Sequence, residues 1–467
     1  MDTRHVHFRS IFETSRALRR GEISARALTE AMFARIKVLD PEYNSYAHLC
    51  EKRALAQADA ADAAFRSGRL LGPLQGVPIA IKDLCRTTYA PTTAGMAINA
   101  GLMSDTNATV VDRLEAAGAV ILGKLTMTEG AYTGHHPNVA VPRNPLSAEH
   151  WVGTSSSGSG VATAAGFCFA CLGSDTGGSI RYPSATCGLS GLKPTYGRVS
   201  RYGVFDLAPS LDHVGPMTRS AADCAAMLQA IAGYDPQDPT SLDAPVPDYM
   251  SGLGRGVRDM RIGIDRAYAF DGVDASVAQA LENAIDQFER LGARIVEITM
   301  PSYEELVAAW VMMCAAETAL VHHETYPSRA SAYGPDLSNL IEQGLATSGV
   351  DVARGHILRI EFSKALETLF GVVDCMLCPT MPSPTPTLHQ MADYGADPDV
   401  LNAILRYTVP FDFSGSPALT LPNGIDALDM PTSMQIIGPA LSEPMILRAG
   451  AAYQDATDWH CRHPDLG

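Results

Sequence analysis

Three kinds of residue in this chain have the types and spacing to do chemistry together. Between Gly153 and Arg201 two Ser/Gly clusters, Thr154–Gly160 and Ser174–Ser179, flank a short apolar segment. Upstream, Lys82 closes the apolar run Val77-Pro78-Ile79-Ala80-Ile81. A hydroxyl nucleophile, a second hydroxyl and a lysine suffice for acyl transfer without histidine or metal. A lysine serves as base only when neutral, and burial among apolar groups is what lowers its pKa. The strand-like run before Lys82 offers such burial.

The segment Gly173-Ser-Asp-Thr-Gly-Gly-Ser179 holds two adjacent glycines. Gly177 and Gly178 lack a Cβ and so admit positive φ and close approach of a ligand to the backbone. Successive N–H groups in such a turn form an anion-binding concavity. Beside the Ser179 hydroxyl that concavity would be an oxyanion hole, although an ordinary tight turn has the same glycines. Thr154–Gly160 leads into Val161-Ala-Thr-Ala-Ala and reads as a helix start. Capping needs one hydroxyl, and this run supplies several.

The elements that must carry these residues alternate. Helical patterns fill about 8–66, including 22–38 and 51–66. Strands are predicted at 76–82, 120–125, from 167 through 172, 260–265, 293–299 and 372–378, with late ones at 418–421 and 433–437. Helices are predicted at 109–117, 158–165, 221–232 and 275–291. A β-α-β order implies a parallel or mixed sheet covered by helices. The acidic, Pro-rich stretch 235–249 is the best internal boundary.

Composition narrows the class. With 46% hydrophobic and 18% charged residues over 467 positions, the chain can bury a large core and is not disordered. The net charge of −16 disfavours nucleic acid and anionic membranes as partners. The opening residues MDTRHVHFRS are charged and lack an apolar core, which predicts no secretory signal and a cytoplasmic protein. Most of the ten cysteines are then expected as free thiols. The pairs Cys168/Cys171 and Cys375/Cys378 match metal-site spacing, but on strands residues three apart face opposite ways. Each pair is expected to be split and buried, with no metal bound. There is no G-x-S-x-G, P-loop or H-E-x-x-H motif. Ser190-Gly-Leu-Lys193 matches S-x-x-K without its partner motifs. Among the thirteen histidines His135-His136 is the pair best placed for a pocket, although a solvated loop is the reading favoured for it.

Lys82, Ser155-Ser156, Asp175-Thr-Gly-Gly-Ser-Ile-Arg181 and Cys187-Gly-Leu-Ser-Gly-Leu-Lys-Pro-Thr-Tyr-Gly-Arg198 together closely resemble the amidase signature family. The resemblance runs from the N-terminal helices to Pro422-Asn-Gly and Met434-Gln-Ile-Ile-Gly438. It implies a single α/β/α layered domain spanning 1–467. Its parts would be helices at 1–66, a signature core at 75–220 and a completing part at 250–467. The central sheet would be mixed and mostly parallel. It implies a Ser–cis-Ser–Lys triad: Ser179 as nucleophile, Ser155 as bridge and Lys82 as base. Backbone N–H groups from Thr176, Gly177 and Gly178 through Ser179 would bind the oxyanion. The common pattern reads GGSSGGS; here Thr154 and Ser157 replace glycines. Ser155 keeps the family's spacing, 24 residues before Ser179, and Ser156 is the alternative bridge.

The implied activity is cleavage of a carboxylic amide, ureide or anilide to acid plus ammonia or amine, without a cofactor. The implied partners are a small-molecule amide and water, with a homodimer as an option. The rival reading is the A-type component of a glutamine-dependent tRNA amidotransferase. That rival uses an arginine and an aspartate for glutamine, and the segments 339–349 and 402–408 do not show the pair. A catalytically dead scaffold is disfavoured because all three triad residues are present. Tyr132–His136, Trp151 and 311–360 are expected to shape the pocket. Trp310, Met312, Met313 and Tyr333 suit an apolar acyl group or the core.

Overall fold

A computed structural model describes residues 3–392 and 397–466. Among them eleven strands form one sheet: β1 (Tyr46–Leu49), β2 (Pro78–Lys82), β3 (Val120–Leu125), β4 (Ala170–Asp175), β5 (Ser190–Lys193), β6 (His213–Thr218), β7 (Arg261–Ile264), β8 (Arg294–Glu297), β9 (Cys375–Pro379), β10 (Ala418–Ile425) and β11 (Pro431–Ile437). Their order is β1-β3-β2-β4-β6-β5-β10-β11-β9-β7-β8. Helices flank it, giving the α/β architecture expected from the alternating pattern.

The sheet is mixed, but its balance differs from the expectation. Only β2–β3, β2–β4, β7–β8 and β7–β9 pair in parallel. The other six neighbours are antiparallel. The reason lies in the middle of the sheet. There β5, β6, β10 and β11 lie side by side, and β10 and β11 are joined by only a short turn, which permits antiparallel pairing alone. The β-α-β units lie toward the two ends.

β2 and β4 are buried at every position. Strands covered on both faces read as unbroken apolar runs, and Pro78-Ile79-Ala80-Ile81 does so before Lys82. The N-terminal region is not wholly helical, because Tyr46–Leu49 pairs with β3 at one edge. β4 starts later than predicted, at Ala170, and runs on to Asp175. Ser174 and Asp175 therefore sit on the strand rather than in the turn.

That later start changes the first cysteine pair. Cys168 precedes β4, so strand alternation does not govern it. Both thiols converge on Thr163 Oγ1, at 3.5 Å for Cys168 and 3.1 Å for Cys171. The expected split to opposite faces is thus wrong for this pair. Cys375 and Cys378 both lie within β9 and have separate neighbours: Met260 Sδ for the first, Gln435 Nε2 for the second. All ten thiols are free and only Cys461 is exposed. No metal-type cluster occurs among the described residues. No described helix is long and apolar enough to cross a membrane.

Candidate active site

β2 ends on Lys82 and its parallel neighbour β4 ends on Asp175. The Lys82 side chain is fully buried. Its Nζ donates to Ser155 Oγ at 2.7 Å, Ser156 Oγ at 2.9 Å and Ser174 Oγ at 2.8 Å. Three hydroxyls thus match the three N–H groups of an ammonium. Even so, burial pushes the Lys82 pKa down to about 7, outweighing the attraction of Asp175 and Asp212. Hydroxyls are dipoles and cannot replace the hydration of a full charge.

The serine pair lies at the start of the Ser157–Ala164 helix. The Thr154–Ser155 peptide bond is cis, as the resemblance implies. Thr154 Oγ1 donates to Tyr132 O and Thr133 O, and Thr128 N donates to Ser155 O. The loop 128–133 therefore holds the serine turn. The two serines then diverge. Ser156 Oγ donates to Ser174 O and accepts from Ser174 N, both at 3.3 Å, so its proton is committed to the backbone. Ser155 Oγ is bound by Lys82 alone, and its own proton has no acceptor among the described residues.

Ser179 sits just beyond β4, 7% exposed. Its turn is gripped by Asp175. Asp175 Oδ1 accepts from Gly178 N at 2.6 Å, and Oδ2 accepts from Ile180 N at 3.0 Å and Arg181 N at 3.2 Å. Burial would raise the Asp175 pKa, but the Arg181 guanidinium wins and holds it well below the usual carboxylate range. Arg181 also reaches Asp412 Oδ2 at 2.6 Å. Burial pushes the Asp412 carboxyl far up, the opposite direction from Asp175.

The glycines are needed for space. A Cβ on Gly177 would lie 2.5 Å from the Trp310 ring, and one on Gly178, at φ 126°, would lie 2.3 Å from the Tyr182 ring. Gly173, within β4, lies between Ser156 and Ile180, the residue after Ser179. A Cβ there would meet Ser156 Oγ and Ile180 Cγ1, each at 3.0 Å. The structure thus brings Lys82 and Ser155 into direct contact; no hydrogen bond joins Ser179 Oγ to either of them among the described residues.

One expected oxyanion donor is already used: the Gly178 N–H is donated to Asp175. The N–H groups of Thr176, Gly177 and Ser179 meet no acceptor among the described residues. Sequence reasoning gave no role to Ser174, Asp175, Arg181 or Thr408. Asp175 and Arg181 lay within the signature motif, so their opposite charges six residues apart were the available signal. Ser174 and Thr408 offered none.

Other candidates fall away. Ser190 and Lys193 occupy β5, not a helix, and Lys193 Nζ is held by Ser416 O at 2.7 Å. His135 Nε2 contacts Ser157 Oγ at 3.0 Å, and burial lowers its pKa to about 4. His136 Nδ1 accepts from Asn138 N.

A mixed sheet between helical layers, with a lysine nested in serine hydroxyls at its centre, is the amidase signature architecture. The chain belongs to that family: the profile of the family named Amidase matches residues 27–447. It is similar to the putative amidase AmiD of Mycobacterium tuberculosis (strain ATCC 25618 / H37Rv), 44% identical over 97% of this chain and 95% of that protein. It is also similar to the A-type component of the glutamyl-tRNA(Gln) amidotransferase of Chloroflexus aggregans, 38% identical over 99% of each. Among solved structures, one described for a vestigial protein complex that reveals the origins of an s-triazine catabolic enzyme superposes with a TM-score of 0.89. The identity is 31%, covering 96% of this chain and 98% of that one. By family, then, this is an enzyme that hydrolyses carbon–nitrogen bonds.

Proposed function

We propose that the chain hydrolyses the amide bond of a small non-peptide carboxylic amide, or a related ureide or anilide. Ser179 is the acyl-forming nucleophile, Ser155 the proton bridge and Lys82 the base. The observation that carries this reading is the 2.7 Å contact between Ser155 and a lysine whose pKa is brought to about 7. A neutral amine has one lone pair and two N–H groups. Ser156 has committed its proton to Ser174 O, so it accepts from Lys82. Ser155 and Ser174 have not, and this reading gives the lone pair to Ser155, the hydroxyl that bridges to Ser179.

Ser155 then passes its proton to Lys82 as it takes one from Ser179, and Ser179 Oγ attacks the amide carbon. The N–H groups of Gly177 and Ser179 stabilise the oxyanion. Ser155 returns a proton to the leaving nitrogen, and the C–N bond breaks. Water, deprotonated by the same route, hydrolyses the acyl-enzyme to the acid. No metal or cofactor enters these steps.

A stand-alone hydrolase is favoured over an amidotransferase component because segment 339–349 holds no arginine to bind the carboxylate of a glutamine substrate. The test is a mass-resolved panel of glutamine, asparagine, aliphatic amides, aryl amides, anilides and ureides, with Ser179→Ala as control. Turnover of a non-amino-acid amide, lost in the control, is expected. Turnover of glutamine alone would favour the amidotransferase reading, and full activity in Ser179→Ala would reject the triad.

A further inference from the structure

We propose that Trp310 is a positioning residue that aims the Gly177 N–H at the oxyanion, and so couples the Leu306–His322 helix to the rate of the chemical step. The inference rests on the Ser179 reading above.

In a trans peptide the C=O and the following N–H point in opposite directions. Whatever fixes the carbonyl therefore fixes the N–H on the opposite side. Three successive carbonyls of the turn are pinned. Thr176 O accepts from Trp310 Nε1 at 2.7 Å. Gly177 O accepts from Thr408 Oγ1 at 2.8 Å. Gly178 O accepts from Tyr182 N at 2.7 Å.

The N–H partners of these carbonyls belong to Gly177, Gly178 and Ser179 in turn. The middle one shows the rule at work: with Gly177 O drawn to Thr408, the Gly178 N–H points at Asp175. The outer two are then directed away from Trp310 and from Tyr182, and no described group accepts them. Of the three N–H groups paired with these carbonyls, these two are left for an oxyanion.

The pins differ in origin. Tyr182 N belongs to the first turn of the adjoining helix, so that bond is local. Trp310 comes from a helix 134 residues further along the chain. The contact is also steric, because the indole lies where a Gly177 Cβ would be. The ring fills that space and blocks the Thr176–Gly177 peptide from swinging toward it. Removing the N–H while keeping the ring frees the carbonyl and lets the peptide rotate. A misaligned donor forfeits part of the 10²–10³-fold that one oxyanion donor contributes, so an effect of about 10–100-fold is expected.

The probe is a fluorophosphonate, whose phosphoryl oxygen enters the same donors during attack by Ser179. The second-order labelling rate is measured from pH 5 to 9 by intact mass, per folded molecule, for the parent, Trp310→Phe and Ser179→Ala. In Trp310→Phe the high-pH plateau is expected to fall about 10–100-fold. The midpoint set by Lys82 should stay in place. A merely structural role would lower the folded fraction and leave the plateau per folded molecule unmoved. If Trp310→Phe does not fold, β-(3-benzothienyl)alanine at position 310 keeps the ring shape and removes only the donor. A plateau within twofold of the parent in the folded variant overturns the proposal. Labelling that survives in Ser179→Ala instead overturns the nucleophile assignment beneath it.

Discussion

Asp175 and Arg181 stand on either side of Ser179 in the chain and are locked to each other by two bonds, Nη2 to Oδ1 at 2.8 Å and Nε to Oδ2 at 3.0 Å. Both side chains are fully buried. The pair staples the two ends of the turn that carries Ser179. Breaking one partner of a buried pair strands the other charge, which costs about 3–5 kcal/mol. Arg181→Ala is therefore expected to lower stability by that order in a denaturant titration and to abolish turnover. Arg181→Lys, which cannot form both bonds, should rescue only part of each.

The lysine sets the pH dependence. Its native pKa is about 7, against an ordinary 10.5. Turnover needs the neutral form, so kcat/KM should fall about tenfold per pH unit below 7. Lys82→Arg, which stays charged, should be inactive across the range.

The same group carries a stability cost of opposite sign. Below pH 7 both folded and unfolded chains hold the proton, and the cost of burying the charge is fully present. As pH rises from 7 toward 10.5 the folded chain has lost the proton while the unfolded chain keeps it, so stability climbs. The full swing is about 5 kcal/mol. Lys82→Met should therefore be dead, yet gain stability relative to the parent at pH 6, with the gain shrinking by pH 9. Paired melts at the two pH values read this directly.

The two neighbouring serines should separate cleanly. Ser155→Ala removes the hydroxyl whose proton is free to move and should lower kcat by about 10²–10⁴-fold. Ser156→Ala removes a strut between Lys82 and the Ser174 backbone. It should cost stability by about 1 kcal/mol and leave measurable turnover. Equal losses of turnover in the two variants would contradict the division drawn from their hydrogen bonds.

Gly178→Ala should fail for two reasons at once, the φ of 126° and the overlap with Tyr182. Gly177→Ala meets the Trp310 ring first, at a backbone position without positive φ. The first is expected to lose all turnover and the second to retain a trace, measured on the same amide as the parent.

Much of this was readable from residue types alone. The apolar run before Lys82 signals a strand buried on both faces, which is also what depresses the lysine. The Gly-Gly-Ser turn signals close backbone approach. What stayed hidden depends on direction rather than type. Gly178 looked like an oxyanion donor because nothing in a sequence says which way its N–H points, and Asp175 decides that. Cys168 looked like a strand residue because Phe167–Leu172 is apolar throughout, and only pairing shows that β4 begins at Ala170. Trp310 lies too far along the chain for any local pattern to tie it to Thr176. The parallel bias was overestimated because Ser190–Lys193 and His213–Thr218 lack the long apolar runs that announced the others.

The contact between Lys82 and Ser174 spans 92 residues and depends on β2 and β4 lying side by side. Parallel pairing across such a separation closes slowly, because a long loop must be ordered before the ladder rewards it. The lysine therefore stays solvated, protonated and inert in any partly folded chain, and acquires its basicity only when the centre of the sheet closes around it. During synthesis the chain carries no reactive amine–serine couple until the strand that completes its burial has joined.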